Sequence, residues 1–135
     1  MIDQAGILMA QGLGIASERI QGVNDNMSQS HYHEYYEIYY LEAGERFHMV
    51  EDQLYKMEAG EFMIFPPYVM HHSYGEENIP FKRLLLYFKP EEILWPSVRD
   101  ALKEESGIYR TDIKKRQEIH RVMEDILKEQ KDSGA

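Results

Sequence analysis

Aromatic residues are crowded into one part of this chain. Fourteen of the 16 lie between Tyr32 and Phe88, and only Trp95 and Tyr109 follow. Aromatic and β-branched side chains favour strands over helices. The crowding therefore predicts a β-rich core that ends near Lys89-Pro90, with a different architecture beyond it.

Turn-forming residues divide the aromatic stretch into short segments. The pattern predicts strands over residues 31–41, 46–50, 53–57, 61–65, 69–74 and 81–88. Short strands with turn signals roughly every 8–12 residues are typical of antiparallel barrels and sandwiches. Residues 31–90 are thus the predicted barrel core. Residues 1–30 show no sustained periodicity, and we expect an N-terminal arm and first strands there.

Residues 91–132 have a helical pattern. Glu91–Glu105 can form one helix that Gly107 ends, and a second helix, capped by Thr111 or Asp112, continues to Lys131. The second helix carries an apolar stripe: Ile113, Ile119, Val122, Met123, Ile126 and Leu127. We expect this helix to cover an apolar patch on the first core strand, made of Tyr36, Ile38 and Tyr40.

Size, composition and charge narrow the possible functions. A chain of 135 residues predicts one domain, residues 1–135, and no apolar run approaches the roughly 20 residues of a membrane helix. The chain has no cysteine and its first residues lack the plan of a signal peptide, which predicts a cytoplasmic protein. The net charge of −9 disfavours contacts with phosphate backbones, and we interpret Lys114-Lys115-Arg116 as a solvated helix face.

One group of polar residues has the chemistry of a metal site. His31, His33 and Glu37 are all separated by an even number of positions, a relation called parity below, so an undistorted strand would place their side chains on one face. His71 lies on a later strand, and a small barrel could bring it opposite the other three. Three imidazoles and a carboxylate suit Zn, Ni, Mn or Fe. An organic ligand on the same groups, or a buried polar network without function, remains an alternative.

Five other side chains are candidates for the site or for a structural role. Tyr35 and Tyr39 lie at alternate positions with Glu37, so on a strand they would point to the same face and either line a pocket or fill the core. His72 and His48 are interpreted as surface or rim groups, by the alternation rule. His120 is interpreted as part of a helix surface.

The spacing of these residues resembles a known family. His31-x-His33-x3-Glu37-x6-Gly44 looks like the first cupin motif, and Gly60-x5-Pro66 with His71 looks like the second. The sequence departs from the two motifs at Asp25, Tyr68 and Gly75, which weakens an enzymatic interpretation. The run from His31 to Tyr74 resembles, more narrowly, the sensor half of AraC-type transcriptional regulators.

The resemblance implies an antiparallel cupin (jelly-roll) barrel followed by two C-terminal helices. It further implies a small-molecule effector, of the sugar or organic-acid class, inside the barrel and a homodimer formed through the helices. DNA would be bound only through a separate helix-turn-helix domain, which we expect to be absent from this chain. From the side chains expected to converge from one strand face, the predicted ligand-binding residues are His31, His33, Tyr35, Glu37, Tyr39 and His71. The alternatives are a free-standing metal-dependent cupin enzyme, a dioxygenase or isomerase, and a sugar- or acid-binding module without regulation.

Overall fold

The computed structural model describes residues 4–23, 31–76, 78–103 and 107–133. The elements are, in chain order, α1 (Gln4–Ala10), β1 (Ile15–Val23), β2 (Tyr36–Ala43), β3 (Glu45–Val50), β4 (Gln53–Glu58), β5 (Phe62–Phe65), β6 (His71–Tyr74), β7 (Pro80–Phe88), a 3₁₀ turn (Pro90–Glu92), α2 (Pro96–Lys103), β8 (Gly107–Tyr109) and α3 (Ile113–Asp132). Every helix in this part of the chain is too short or too polar to span a bilayer.

The strands form two antiparallel sheets. One sheet has the order β1-β7-β2-β5-β8, and the other has the order β4-β3-β6. Apolar side chains from both sheets fill the space between them, including Leu41, Met57, Met63, Phe65 and Phe81. The predicted antiparallel jelly-roll architecture with a C-terminal helix is confirmed, and so is the hairpin that joins β3 to β4.

The N-terminal segment is more regular than the expected arm. It contains α1 and the whole of β1, which pairs with β7 from Ile15 opposite Phe88 to Val23 opposite Pro80. The position of this strand cannot be recognised in the sequence, because two of its buried residues, Ser17 and Glu18, are polar. Their side chains bond to the Leu85 carbonyl and to backbone N–H groups of α1, so no apolar alternation is visible.

The first core strand begins later than predicted. The prediction placed it at residues 31–41, whereas β2 begins at Tyr36, and His31 forms only an isolated bridge with His71. The parity argument therefore does not hold for His31 and His33, because their backbone is not part of β2. It does hold for Glu37 and Tyr39, which lie within the strand and are both buried.

The segment after Pro90 departs from the single helix predicted over Glu91–Glu105. A 3₁₀ turn comes first, and α2 begins only at Pro96, whose fixed φ suits a first helical turn. Gly107 does not simply end a helix, since it starts β8, which pairs with β5. The short strand was missed because three residues carry too little pattern to be recognised.

The last helix agrees with its prediction. The Asp112 side chain caps α3 by accepting a hydrogen bond of 2.8 Å from the Lys115 backbone N–H. Met123 and Leu127 are buried against the outer face of the larger sheet, where they contact the cluster that includes Tyr36 and Tyr40. As predicted, α3 therefore covers the apolar face of β2 that includes Tyr36 and Tyr40.

Candidate functional site

Backbone hydrogen bonds join the residues just before β2 to β6 and to the turn that precedes it, and they bring the predicted histidines together. The backbone of His31 pairs with that of His71 through two hydrogen bonds of 2.9 Å. The Tyr68 N–H donates to the His33 carbonyl, also at 2.9 Å, so the turn before β6 is tied to the approach to β2. As a result, the ligand atoms of His31, His33, Glu37 and His71 all lie within 4.8 Å of one another.

Backbone carbonyls orient two of these rings. His33 Nδ1 lies 2.9 Å from the Tyr35 carbonyl, and His71 Nδ1 lies 2.9 Å from the Val69 carbonyl. A carbonyl only accepts, so each Nδ1 carries the hydrogen and donates it. The Nε2 atoms therefore face the opposite way, toward Glu37 Oε1, at 3.1 Å for His33 and 3.3 Å for His71. A hydrogen bond from Nδ1 to a carbonyl is how proteins fix the tautomer of metal-binding histidines.

Electrostatics favour a charged Glu37. Burial raises the pKa of its carboxyl, but the hydrogen bond with His33 and the close approach of His71 outweigh that effect and hold the pKa well below its usual range. Burial lowers the pKa of His71, and the contact with Glu37 more than offsets this, so the His71 pKa is raised. A buried carboxylate facing two Nε2 atoms requires a positive charge between them, either a proton or a cation.

The donor set fits a divalent metal ion. His71 Nε2 is buried and has no partner in hydrogen-bond geometry, although it lies close to Glu37. Imidazole and carboxylate donors suit Zn, Ni, Mn and Fe, and three imidazoles with one carboxylate leave positions open on such ions. The residues present are therefore able to hold the metal that the sequence motif implies.

A small cavity lined by polar and aromatic side chains adjoins this cluster. It has a volume of about 50 Å³ between the two sheets, and Glu37, Tyr39 and Phe65 line it from the larger sheet. His71 lines it from the smaller sheet and stacks on Phe65, with ring centroids 4.1 Å apart. Tyr39 therefore occupies the interior position that its parity predicts.

Tyr35 lies elsewhere. It precedes β2, so strand alternation does not govern its direction, and its ring stacks on that of His33 at 4.2 Å. The Tyr35 side chain borders a separate outer cleft beside Met9 and Lys89. Tyr35 does not line the cavity, and it contacts the site through the ring of His33 and through Tyr87, whose ring centroid lies 4.9 Å away.

The prediction for His48 is wrong. The side chain is only 1% exposed, and its ring lies edge-on to Tyr39 with centroids 4.5 Å apart. Alternation along β3 accounts for this, because Arg46, His48 and Val50 are all buried on the inner face. The buried Val50 gave the parity signal that could have placed His48 inside.

His72 lies where the sequence predicts it, whereas His120 does not. His72 lies half-buried beside Tyr74, as expected for the side of β6 away from His71. His120 is not plain helix surface, since its Nε2 contacts carboxylates of Glu42 and Glu124. Arg19 already forms a bidentate pair with Glu42, so these groups form an ion-pair network that fastens α3 to the sheet.

Two buried arginines were missed by sequence reasoning. Arg46 on β3 is 2% exposed and Arg83 on β7 is 9% exposed. Arginine is almost never buried without a partner, so sequence reasoning assigns it to the surface by default. Both arginines occupy inward-facing strand positions. Arg46 alternates with His48 on β3, and Arg83 alternates with Phe81 on β7, so this alternation was the available signal.

Comparisons with known proteins agree on the fold. The family model of the AraC-like ligand binding domain matches residues 15–134. No curated protein is similar enough to count as a match. A cupin protein from Bacteroides fragilis has 16% identity and a TM-score of 0.55, over 73% of this chain and 80% of its own.

Two further solved structures have the same architecture. A conserved protein of unknown function from Streptococcus pyogenes has 16% identity and a TM-score of 0.52, over 58% of this chain and 67% of its own. A cupin family protein with a double-stranded β-helix fold from Methanocaldococcus jannaschii has 17% identity and a TM-score of 0.50. The similarity covers 56% of this chain and 70% of that protein. At these identities the similarity concerns the fold alone.

Proposed function

The chain belongs to the AraC-like ligand-binding domain family, and on that basis we propose that it is the effector-sensing domain of a cytoplasmic AraC-type transcriptional regulator. The effector is a small polar molecule of the sugar or organic-acid class, held inside the barrel. The cavity between the sheets supports this most directly, because Glu37 and Tyr39 meet His71 there from opposite sheets. A few convergent polar groups between aromatic walls are typical of small-ligand sites.

A divalent ion is part of the proposal. His31, His33, Glu37 and His71 would hold Zn, Ni, Mn or Fe, since their donor atoms already converge. When bound, the ion supplies a Lewis-acid centre that attracts an oxygen of the effector. The chain's own part is to fix the two Nδ1 hydrogens on backbone carbonyls, so that both Nε2 atoms remain available.

Sensing requires a second state of the protein. An effector shifts an equilibrium only by its differential affinity for the two states. We propose that the second state differs in how the N-terminal segment or the helices pack on the barrel. DNA contact belongs to a separate helix-turn-helix domain, because a net charge of −9 disfavours phosphate binding by this chain.

Pairing of two copies through α3 is the proposed route to a homodimer. An apolar groove runs between α3 and the sheet, bordered by Ile38 and Val122. Val122 is 57% exposed, so apolar surface remains available on this helix. Burial of that surface by a second copy would remove it from water.

An enzyme is the second candidate function. The observation that favours it is a four-donor cluster set directly beside a cavity, an arrangement that a metal-dependent dioxygenase or isomerase also requires. Turnover of a ligand by the metal-loaded protein would favour the enzyme, whereas tight binding without turnover favours the sensor.

The central experiment measures metal and ligand on the same protein. Elemental analysis of protein purified without an affinity metal column should give one divalent ion per chain, and His71→Ala should lose it. His72→Ala is the matched control, since it removes a neighbouring imidazole on the other side of β6. Absence of a stoichiometric ion, or its retention by His71→Ala, contradicts the metal site.

A thermal-shift screen of sugars and organic acids then tests effector binding. A ligand at about 100 times its Kd stabilises the folded chain by about 2.7 kcal/mol. A shift that is reduced by Glu37→Gln places the ligand in the barrel. If no compound in either class stabilises the chain, the sensing proposal fails.

A further inference from the structure

We propose that the barrel interior contains an anion-binding subsite, formed by Arg83, His48 and Tyr39, that receives the carboxylate of a small organic acid. This deepens the proposed function and rests on it, because it names the chemical class of the effector. The subsite shares the cavity with Glu37 and His71 but uses different side chains.

The guanidinium of Arg83 supplies the positive charge. Arg83 is buried on β7, and its Nη2 donates to Glu18 Oε1 at 3.3 Å. Its Nη1 is also buried but has no hydrogen-bond partner, and the side chain lines the cavity. A buried, unsatisfied donor on a cation is costly, so a group that accepts this hydrogen bond is stabilised strongly.

His48 and Tyr39 present further unused hydrogen-bonding atoms. Neither ring nitrogen of His48 has a partner, and the Tyr39 hydroxyl is buried without one. Burial lowers the pKa of His48 to about 3, so the ring is neutral and keeps one N–H donor. The Arg83 guanidinium carbon lies 5.8 Å from the Tyr39 ring centroid, and that ring contacts His48. The three groups therefore border one space.

Charge balance indicates an anion rather than a neutral molecule. Two guanidiniums, on Arg46 and Arg83, and two carboxylates, on Glu18 and Glu37, are buried in or beside this interior, whereas a third buried carboxylate, on Glu61, is paired with Arg110. These four charges cancel. A divalent ion on Glu37 would add two positive charges, and a bound carboxylate offsets part of that excess.

The cavity limits the size of the acid. The cavity has a volume of about 50 Å³, and each water in a protein cavity needs about 10–15 Å³ of such space. The space therefore accepts about three to five water-sized groups, which suits the carboxylate end of a small organic acid such as acetate or pyruvate.

The test compares a carboxylate with its neutral isostere. Sodium pyruvate and pyruvamide are titrated into the metal-loaded protein by calorimetry. We expect pyruvate to bind at least tenfold more tightly than pyruvamide. Equal affinities, or tighter binding of the amide, overturn the subsite.

Two variants connect the preference to these residues. Tyr39→Phe removes only a hydroxyl, and Arg83→Lys keeps a cation for Glu18 while removing Nη1. Each should weaken pyruvate binding at least tenfold without changing the bound metal, and Tyr39→Phe should not lower the melting temperature of the ligand-free protein. Tyr55→Phe, which removes an exposed hydroxyl on β4, is the matched control. Unchanged affinity in Tyr39→Phe contradicts the subsite even if Arg83→Lys does not fold.

The outcomes separate this subsite from the wider proposal. If a neutral sugar binds and Glu37→Gln abolishes its binding while Tyr39→Phe does not, effector sensing stands and the carboxylate subsite is wrong. If neither acids nor sugars bind, the proposed function itself fails and the subsite fails with it.

Discussion

Gln130 on α3 bonds to both backbone groups of Ser17 on β1. Its side-chain amide accepts from the Ser17 N–H at 2.7 Å and donates to the Ser17 carbonyl at 2.9 Å. β1 is an edge strand, so these two backbone groups would otherwise point away from the sheet. One side chain of the last helix thus completes the edge of the first strand.

Loss of this contact should destabilise the protein. Gln130→Ala leaves the Ser17 backbone groups without a protein partner, and we expect a decrease of about 1–3 kcal/mol in the free energy of unfolding. Urea denaturation measures the change. Gln117→Ala, at an exposed position on the same helix, is the control and should change stability by no more than about 0.5 kcal/mol. Equal effects of the two substitutions contradict the edge-closing role.

Packing of α3 should depend on its buried residues alone. Leu127 is 5% exposed within the cluster beneath the helix, so Leu127→Ala should cost about 2–5 kcal/mol. Val122 is 57% exposed, and Val122→Ala should cost less than about 0.5 kcal/mol in the monomer. Thermal unfolding at low protein concentration compares the two. A large cost for Val122→Ala that grows with protein concentration would point to its burial between copies.

Gly44 should tolerate no side chain. Its φ is +85°, and a Cβ there would lie 2.4 Å from the Pro80 carbonyl oxygen. Gly12 has a similar φ of +103° but open space around it, so Gly12→Ala measures the backbone strain alone. We expect Gly44→Ala to cost about 1–3 kcal/mol more than Gly12→Ala in urea denaturation. Similar costs would mean that β2 and β7 separate easily at this point.

Acid should loosen the contact between α3 and the sheet through Glu42. Burial raises the pKa of this carboxyl, but hydrogen bonds from Arg19 and His120 bring it below its usual value. The unfolded carboxyl takes up a proton near its ordinary pKa of 4.5, and the folded one does so only at lower pH. Its stabilisation is therefore complete above the unfolded pKa and is lost as pH falls through the folded pKa.

The test of this dependence is the slope of stability against pH. Glu42→Gln should flatten the loss of unfolding free energy below about pH 4.5, near the unfolded carboxyl pKa. Asp125→Asn, an exposed carboxylate on α3, should leave the slope close to that of the unchanged protein. If the two variants behave alike, Glu42 does not carry the acid sensitivity.

The parts of the site that lie on regular strands were predictable from sequence. Alternation placed Glu37 and Tyr39 on one inner face, and both are there. His31 and His33 reach the same place by another route, through backbone bonds to His71 and Tyr68. The convergence was therefore anticipated, but the reason given for it applied only to the residues within β2.

Buried polar residues explain most of the differences. β1 was not located because Ser17 and Glu18 occupy buried positions where a pattern search requires apolar residues. His48 and Arg83 were missed for the same reason. Composition places such groups at the surface on average, and only the partner strands decide where a particular polar side chain is enclosed.

The pairing of β1 has a consequence for the order in which the molecule assembles. β1 pairs along its full length with β7, and the Gln130 contact that closes its outer edge comes 113 residues after Ser17. Such distant pairings make folding slow, on the order of milliseconds to seconds, because the intervening chain must be ordered first. Until β7 has formed, β1 has no strand to pair with among the described residues of its own chain. A β7 from a neighbouring copy offers the same complementary edge, so strand exchange between chains competes with folding at this step.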